Sequence, residues 1–342
     1  MAKKIGKYTI RMENPPSVTA VAAIGSKKEG EGPLSAYFDI INDDSSFGER
    51  SWEKAESRLQ KDTMNKMLEK AGVSANDVDA VFGGDLLNQC VGTTFGMREI
   101  GIPLFGLFAA CATISEAMAL AAIMVDTNTM KKAAVISSSH FCSAERQFRF
   151  PLEYGGQRPP SSLWTATAAG AALIATHVQP PYIKHVTIGM IEDLGVTDAN
   201  NMGAAMAPSA AATLSRFFED TGTNQDNYDL ILSGDLGAVG SELLYELMDR
   251  AGYDICKNHA DSGLMLFDRD RQDVHSGASG AGCAASVLCS YIVPSMREGK
   301  IHNMIFIPTG ALLSPTTVQQ GESIPCICHL IHLSVTPEQE GI

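Results

Sequence analysis

Residues 76–86 read Asn-Asp-Val-Asp-Ala-Val-Phe-Gly-Gly-Asp-Leu, and residues 226–236 read Asp-Asn-Tyr-Asp-Leu-Ile-Leu-Ser-Gly-Asp-Leu. Asp79 aligns with Asp229, Gly84 with Gly234 and Asp85 with Asp235. In each copy three apolar residues run into a Gly-Asp turn, the mark of a buried strand ending at a loop. An amphipathic helix is expected before each copy, over Trp52–Ala71 and Pro208–Thr221. An alanine-rich helix, Cys111–Val125, then leads through Lys131-Lys132 into a strand at Ala133–Ser137. In the second copy a small-residue helix, Gly280–Met296, leads through Gly299-Lys300 into Met304–Pro308. Apolar strands at Gly170–His177 and Pro325–Leu333 close the halves. This repeated β-α-β order predicts an α/β fold of two duplicated halves, with right-handed crossovers and sheets covered by helices. The repeat is far longer than a solenoid unit, so it marks a duplicated domain. The Pro180-Pro181 pair divides the chain into residues 1–179 and 180–342.

The composition narrows the function classes. The 342 residues are 45% apolar and 19% charged, which is a packed globular chain. A net charge of −13 disfavours nucleic acid and anionic lipid except at a local basic patch. Eight cysteines are scattered, with no CxxC pair and no spacing suited to zinc, so no metal site is expected. Met1-Ala2-Lys3-Lys4 is not followed by an apolar run, so no signal peptide is expected and a reducing compartment fits. Ile102–Val125 is long and apolar, yet Glu116 and the early Pro103 and Gly106 favour a buried core helix over a membrane span.

The stretch Phe108-Ala109-Ala110-Cys111-Ala112-Thr113-Ile114-Ser115-Glu116 resembles the nucleophile elbow of ketoacyl synthases and thiolases. His275-Ser276-Gly277-Ala278-Ser279-Gly280-Ala281 resembles the Gly-rich second catalytic region of thiolases. More narrowly, Phe82–Gln89, Ser137–Phe141, Arg149–Gly155 and Thr309–Pro315 resemble the stage V sporulation protein AD family of spore-forming bacteria. The superfamily implies a thiolase-like αβαβα layering and dimerisation around the elbow, so a homodimer is expected. The narrower family implies binding of dipicolinic acid (pyridine-2,6-dicarboxylate), alone or as its calcium chelate, and a role in its uptake into the developing spore. It also implies residence at the spore inner membrane among the SpoVA membrane proteins. With no anchor motif visible, those partners are expected to hold the chain there.

Two readings of the chemistry stand side by side. Cys111 at a helix N-terminus faces unpaired N–H groups and the positive dipole end, which suit a thiolate nucleophile for acyl transfer. The same residue suits a small buried apolar position. Catalysis in the superfamily also needs a histidine and a second polar partner. Asp235 stands where the resemblance puts the synthase histidine, Thr309-Gly310-Ala311 lacks the second thiolase cysteine, and His275 is about one residue out of register. The sequence therefore favours a non-catalytic binding protein that needs no cofactor. A flat pyridine dicarboxylate asks for hydroxyl, N–H and guanidinium donors. Ser137, Ser138 and His140 at a strand end, followed by Arg149 between Arg146 and Arg158, are the candidate donors, with Cys111, Asp85, Asp235 and His275 completing the expected set. Asp85 and Asp235, at equivalent turns, are either turn residues or a pair facing a cation.

Overall fold

The computed structural model describes residues 2–148, 157–176 and 178–337. Its frame is two sets of strands in the same order. The first set is β1 (Ser17–Ser26), β2 (Ala80–Gly84), β3 (Leu104–Gly106), β4 (Lys132–Ser139) and β5 (Ala168–Ala175). The second is β6 (Tyr182–Thr187), β7 (Leu230–Ser233), β8 (His259–Asp261), β9 (Asn303–Ile307) and β10 (Leu330–Ser334). Across the sheet the order is β8-β7-β9-β10-β6 and then β1-β5-β4-β2-β3. In both sets the three strands farthest from the join are parallel and the others antiparallel. The sets meet where Tyr182 of β6 faces Ser17 of β1. The N-terminal hairpin, Lys3–Ile5 with Thr9–Arg11, adds to β6, so the first residues of the chain extend the second set.

The alternation of side chains along these strands builds the layers. Helix α1 (Trp52–Ala71) places Met64, Met67 and Leu68 on one face of the first set, against Val81, Ala134 and Ile136. The opposite face, with Phe82, Ala133 and Val135, packs on α2 (Thr113–Asp126) and α5 (Ala281–Val287, running on to Arg297). Those two helices also cover Leu232, Met304, Phe306 and Ile331 of the second set. Beyond it, Ile231, Ile305 and Ile307 pack on α3 (Met202–Thr221) and α4 (Gly237–Arg250). The result is α-β-α-β-α, as the thiolase resemblance implies. The membrane-span reading of Ile102–Val125 falls away, because α2 is a fourteen-residue central helix buried between two sheets. No helix among the described residues is long and apolar enough to cross a membrane.

The repeated aspartates explain part of the shared pattern. The Asp79 carboxylate accepts the N–H groups of Lys131 and Lys132 at 2.7 and 3.0 Å. Asp229 does the same for His302 and Asn303 at 2.7 and 3.0 Å. Each aspartate ties the start of one strand to the start of its parallel neighbour. The boundaries differ in places. The second-half closing segment is split, with β10 beginning only at Leu330 after a separate short strand, Cys326–Cys328. The second central helix is interrupted by a wide turn at Leu288–Ile292.

Gly282 shows how tight the centre is. A Cβ there would meet the Ala168 carbonyl at 2.0 Å and the Ser139 nitrogen at 2.8 Å, so α5 passes backbone to backbone over the ends of β5 and β4. Gly282→Ala is expected to lower stability by about 1–3 kcal/mol, because backbone cannot yield as a side chain can. Urea unfolding measures it; an unchanged midpoint contradicts this packing.

Candidate functional site

The elbow forms because several close approaches leave the chain one path. After β3, the Leu107 N–H donates to the Gly83 carbonyl at 2.8 Å. The chain then crosses above Gly84, where a Cβ would meet the Leu107 oxygen at 2.0 Å. Ala110 turns with φ at 49°, a left-handed conformation uncommon for a non-glycine residue. Thr113 fixes that turn: its hydroxyl donates to the Ala110 carbonyl at 2.7 Å and accepts the Ala109 N–H at 3.1 Å. Cys111 sits in the resulting short turn, Ala110–Ala112, just before α2, and is 7% exposed.

Asp235 is fully buried, and its carboxyl acts directly on the neighbouring Cys111 thiol. The carboxylate also accepts from the Gly280 N–H at 3.3 Å and the Thr309 hydroxyl at 3.2 Å. Burial raises the Asp235 carboxyl to about 7. Burial, and next the Asp235 charge, hold the Cys111 thiol well above the ordinary range. A cysteine held as thiolate needs the opposite setting, a neighbouring cation. Asp235 thus adjoins Cys111, and its effect there is to keep the sulfur protonated. Thr309, noted in the sequence only for not being cysteine, is its third partner.

The equivalent Asp85 is used differently. Its carboxylate accepts the Leu87 N–H at 2.8 Å, the Thr93 N–H at 2.7 Å and the Thr93 hydroxyl at 2.6 Å. Burial raises its pKa, and the adjoining Glu56 is held at about 8 by burial and then by the Asp85 charge. In the second half the Gly237 N–H, which matches that of Leu87, goes instead to Asp261 at 3.0 Å, together with the Leu236 N–H at 2.9 Å. That substitution frees Asp235 to face the thiol. The two repeat aspartates therefore belong to separate networks. Among the described residues no group of three or more metal-ligating side chains is present.

A half-open cavity adjoins Cys111. Leu86, Phe108, Ala144, Phe148, Met202 and Leu313 supply most of its wall, with Glu145, Thr165 and Ser279 as the polar side chains. Sequence reading did not select these residues. The available signal was that Ala144 and Phe148 lie four apart on one helix, Phe141–Phe148, downstream of the serine cluster.

The other expected donors are placed elsewhere. Ser137 donates to the Ala281 carbonyl at 3.1 Å, and Ser138 donates to Glu56 at 2.9 Å while accepting from Gln60 at 2.8 Å. Both tie the sheet to its helices and line no part of the cavity. The His140 Nδ1 accepts the Cys142 N–H at 3.2 Å, leaving Nε2 to donate to the Ser45 carbonyl at 2.7 Å. Burial lowers its pKa, so this neutral tautomer is the stable one. His140 borders a different cleft, beside Lys28 and Trp164. His275, with φ at 53°, pairs with Asp273 at 3.2 Å and is likewise not in the cavity wall. Arg146 is paired with Glu53 on the surface. Arg158 lies over the Trp164 ring at 4.7 Å and donates to the Leu163 carbonyl at 2.5 Å. Arg149 falls outside the described residues. Of the expected set, Cys111 and Asp235 are brought together, and Asp85, Ser137, Ser138, His140 and His275 are not.

A duplicated αβαβα body with a cysteine elbow and an adjoining cavity defines a thiolase-like protein. Its solved structural neighbours agree at low identity, which bears on the fold alone. The 3-oxoacyl-[acyl-carrier-protein] synthase III of Aquifex aeolicus matches with a TM-score of 0.56 at 10% identity, over 93% of this chain and 99% of that one. Xanthomonas campestris OleA matches with a TM-score of 0.60 at 13% identity, over 94% and 98%. Within that class, the chain belongs to the stage V sporulation protein AD (SpoVAD) family, whose sequence profile matches residues 6–334. It is 42% identical over 327 residues to the stage V sporulation protein AD of Bacillus subtilis (strain 168), covering 96% of each chain. It is accordingly a sporulation protein.

Proposed function

We propose that the chain is a non-catalytic binding protein for dipicolinic acid, acting in its uptake into the developing spore. The family membership supports the process. The observation that carries the non-catalytic reading is the buried Asp235 carboxyl beside Cys111, whose charge opposes a thiolate where a histidine would become a cation that stabilises one. The cavity beside Cys111 is the binding site in this reading. The cavity itself holds about 60 Å³, below the roughly 300–1,000 Å³ common for small-molecule pockets, so in this reading the ligand enters by displacing wall side chains.

The lining bears on the form of the ligand. Among the described residues of the wall the charged side chain is Glu145, with Asp235 behind the thiol. A neutral calcium chelate, whose metal takes further oxygen ligands, suits a mainly apolar wall of this kind better than a free dianion does. Calorimetric titration with dipicolinate is expected to show binding that strengthens at least tenfold when calcium is supplied. No heat with or without calcium, up to millimolar ligand, contradicts the function. Equal affinity in both conditions contradicts the chelate.

The partners follow the same reading: the chain works with the SpoVA membrane proteins at the spore inner membrane, and as a homodimer. For the dimer there is a direct motive. Strand β3 is the outer edge of the sheet and is exposed along its length, with Phe105 and Phe108 about half exposed. An open apolar edge of this kind is a template for pairing with a second copy. Phe105→Asp is expected to leave a folded monomer in sedimentation velocity; an unchanged dimer would place the interface elsewhere.

A further inference from the structure

A second exposed face, away from the cavity, has chemistry of its own. The loop after β6 carries Ile188, Met190, Ile191 and Leu194, all large and exposed, with Ile191 at 61% and Leu194 at 70%. This loop is held by many bonds. Glu192 and Cys326 exchange backbone hydrogen bonds at 2.9 and 2.8 Å. The Gly189 N–H donates to His329 at 3.2 Å, and a Cβ at Gly189 would meet the Cys328 carbonyl at 1.9 Å. Glu192 is bound by Arg216 at 2.6 Å, and Asp193 accepts from Ser323 at 2.6 Å. The backbone is therefore fixed while four apolar side chains stand outward, an arrangement that needs a reason.

Basic groups border the same face. The Ile188 N–H donates to the Tyr8 carbonyl at 3.3 Å, which seats the loop against the N-terminal hairpin. Lys4 and Lys7 line one groove together with Ile10, Ile123, Ile188 and Met190. Lys3, Lys4 and Lys7 are exposed and make no ion pair among the described residues. Of the carboxylates nearby, Glu13 is bound by Arg11 and Glu192 by Arg216, Asp220 accepts the N–H groups of Lys7, Tyr8 and Thr9 at 2.7–2.8 Å, and the exposed Asp193 accepts from Ser323. Charges beyond about 10 Å are screened at physiological salt, so the overall −13 does not cancel this local patch.

We propose that this face docks on an anionic membrane surface, with Ile191 and Leu194 entering the interface and Lys3, Lys4 and Lys7 meeting the headgroups. Apolar side chains combined with adjacent lysines are what such a surface binds. The proposal is independent of the dipicolinate reading, and neither stands or falls with the other.

The test is cosedimentation of the full chain with vesicles of phosphatidylglycerol and phosphatidylethanolamine in equal parts, against vesicles of phosphatidylcholine alone. The expected result is salt-sensitive binding to the first and little to the second. The double variants Lys4→Glu/Lys7→Glu and Ile191→Asp/Leu194→Asp are each expected to lose at least about tenfold in partitioning. Thermal midpoints near that of the parent chain show that both fold. Absence of binding to anionic vesicles overturns the proposal, as does equal binding by the folded variants. So does a change in self-association or in protein-partner assembly with vesicle binding absent throughout.

Discussion

In an Asp235→Asn variant, Cys111 reacts with iodoacetamide at least about tenfold faster than in the parent chain at pH 8, and the two rates converge below about pH 6. The reason is the charge beside the sulfur. At pH 8 a carboxyl held at about 7 is largely ionised, and it opposes formation of the thiolate next to it. Asparagine keeps the shape and an acceptor oxygen for the Gly280 N–H, turns its NH2 to donate to the Thr309 hydroxyl, and removes the charge. Each unit taken off the thiol pKa multiplies the thiolate fraction by about ten. Below pH 6 Asp235 is itself protonated, so parent and variant become alike. Burial remains in both, and the variant thiol stays less reactive than an exposed one. Peptide-resolved mass spectrometry is needed, because Cys256 is exposed and labels first. Equal rates at pH 8 would mean that the carboxylate does not govern the thiol.

The same variant is expected to be more stable than the parent at pH 8, by about 2–4 kcal/mol, with the advantage gone by about pH 4. Asp235 ionises at about 7 in the folded chain and ordinarily at 3.8. Between these values the folded state keeps a proton that the unfolded state has lost. Its contribution to stability therefore falls as pH rises from about 4 to about 7, and is level above that. Asparagine has no such term. The buried His185, His259 and His329, lowered by burial to about 4, slope the other way: stability is present above pH 6.5 and is lost as pH falls towards 4. They are common to both proteins and drop out of the difference. Urea unfolding across this range measures it. A variant less stable at pH 8 would show that the ionised carboxylate is stabilised in the fold, contrary to this electrostatic picture.

Why the duplicated architecture was legible in the sequence is clear from Asp79 and Asp229. They repeat because each holds the same pair of backbone N–H groups between neighbouring strands, a demand of the fold itself. The elbow was legible for a similar reason, since small residues at 109–112 and Gly310 are needed where backbone passes within contact distance. The site was less so. Asp85 and Asp235 occupy equivalent turns, and nothing local distinguishes them. The difference is made by Asp261, distant in sequence, which takes over the turn N–H groups in one half only. Ser137, Ser138 and His140 looked like ligand donors because they cluster at a strand end. Their hydroxyl and ring atoms are instead used to join layers, through partners such as Glu56 and Ser45 that lie about 80 to 95 residues away. The cavity wall is apolar and drawn from several segments of the chain, so no motif announces it.

Intact-mass measurement of the parent chain after incubation with a panel of acyl-CoA thioesters asks most directly whether this thiolase-like site binds or reacts. With the Cys111 thiol kept protonated by burial and by Asp235, no acyl adduct is expected on Cys111 at pH 7 to 8. A stoichiometric adduct, mapped to Cys111 and absent from Cys111→Ser, would show a working nucleophile and contradict the binding-protein reading.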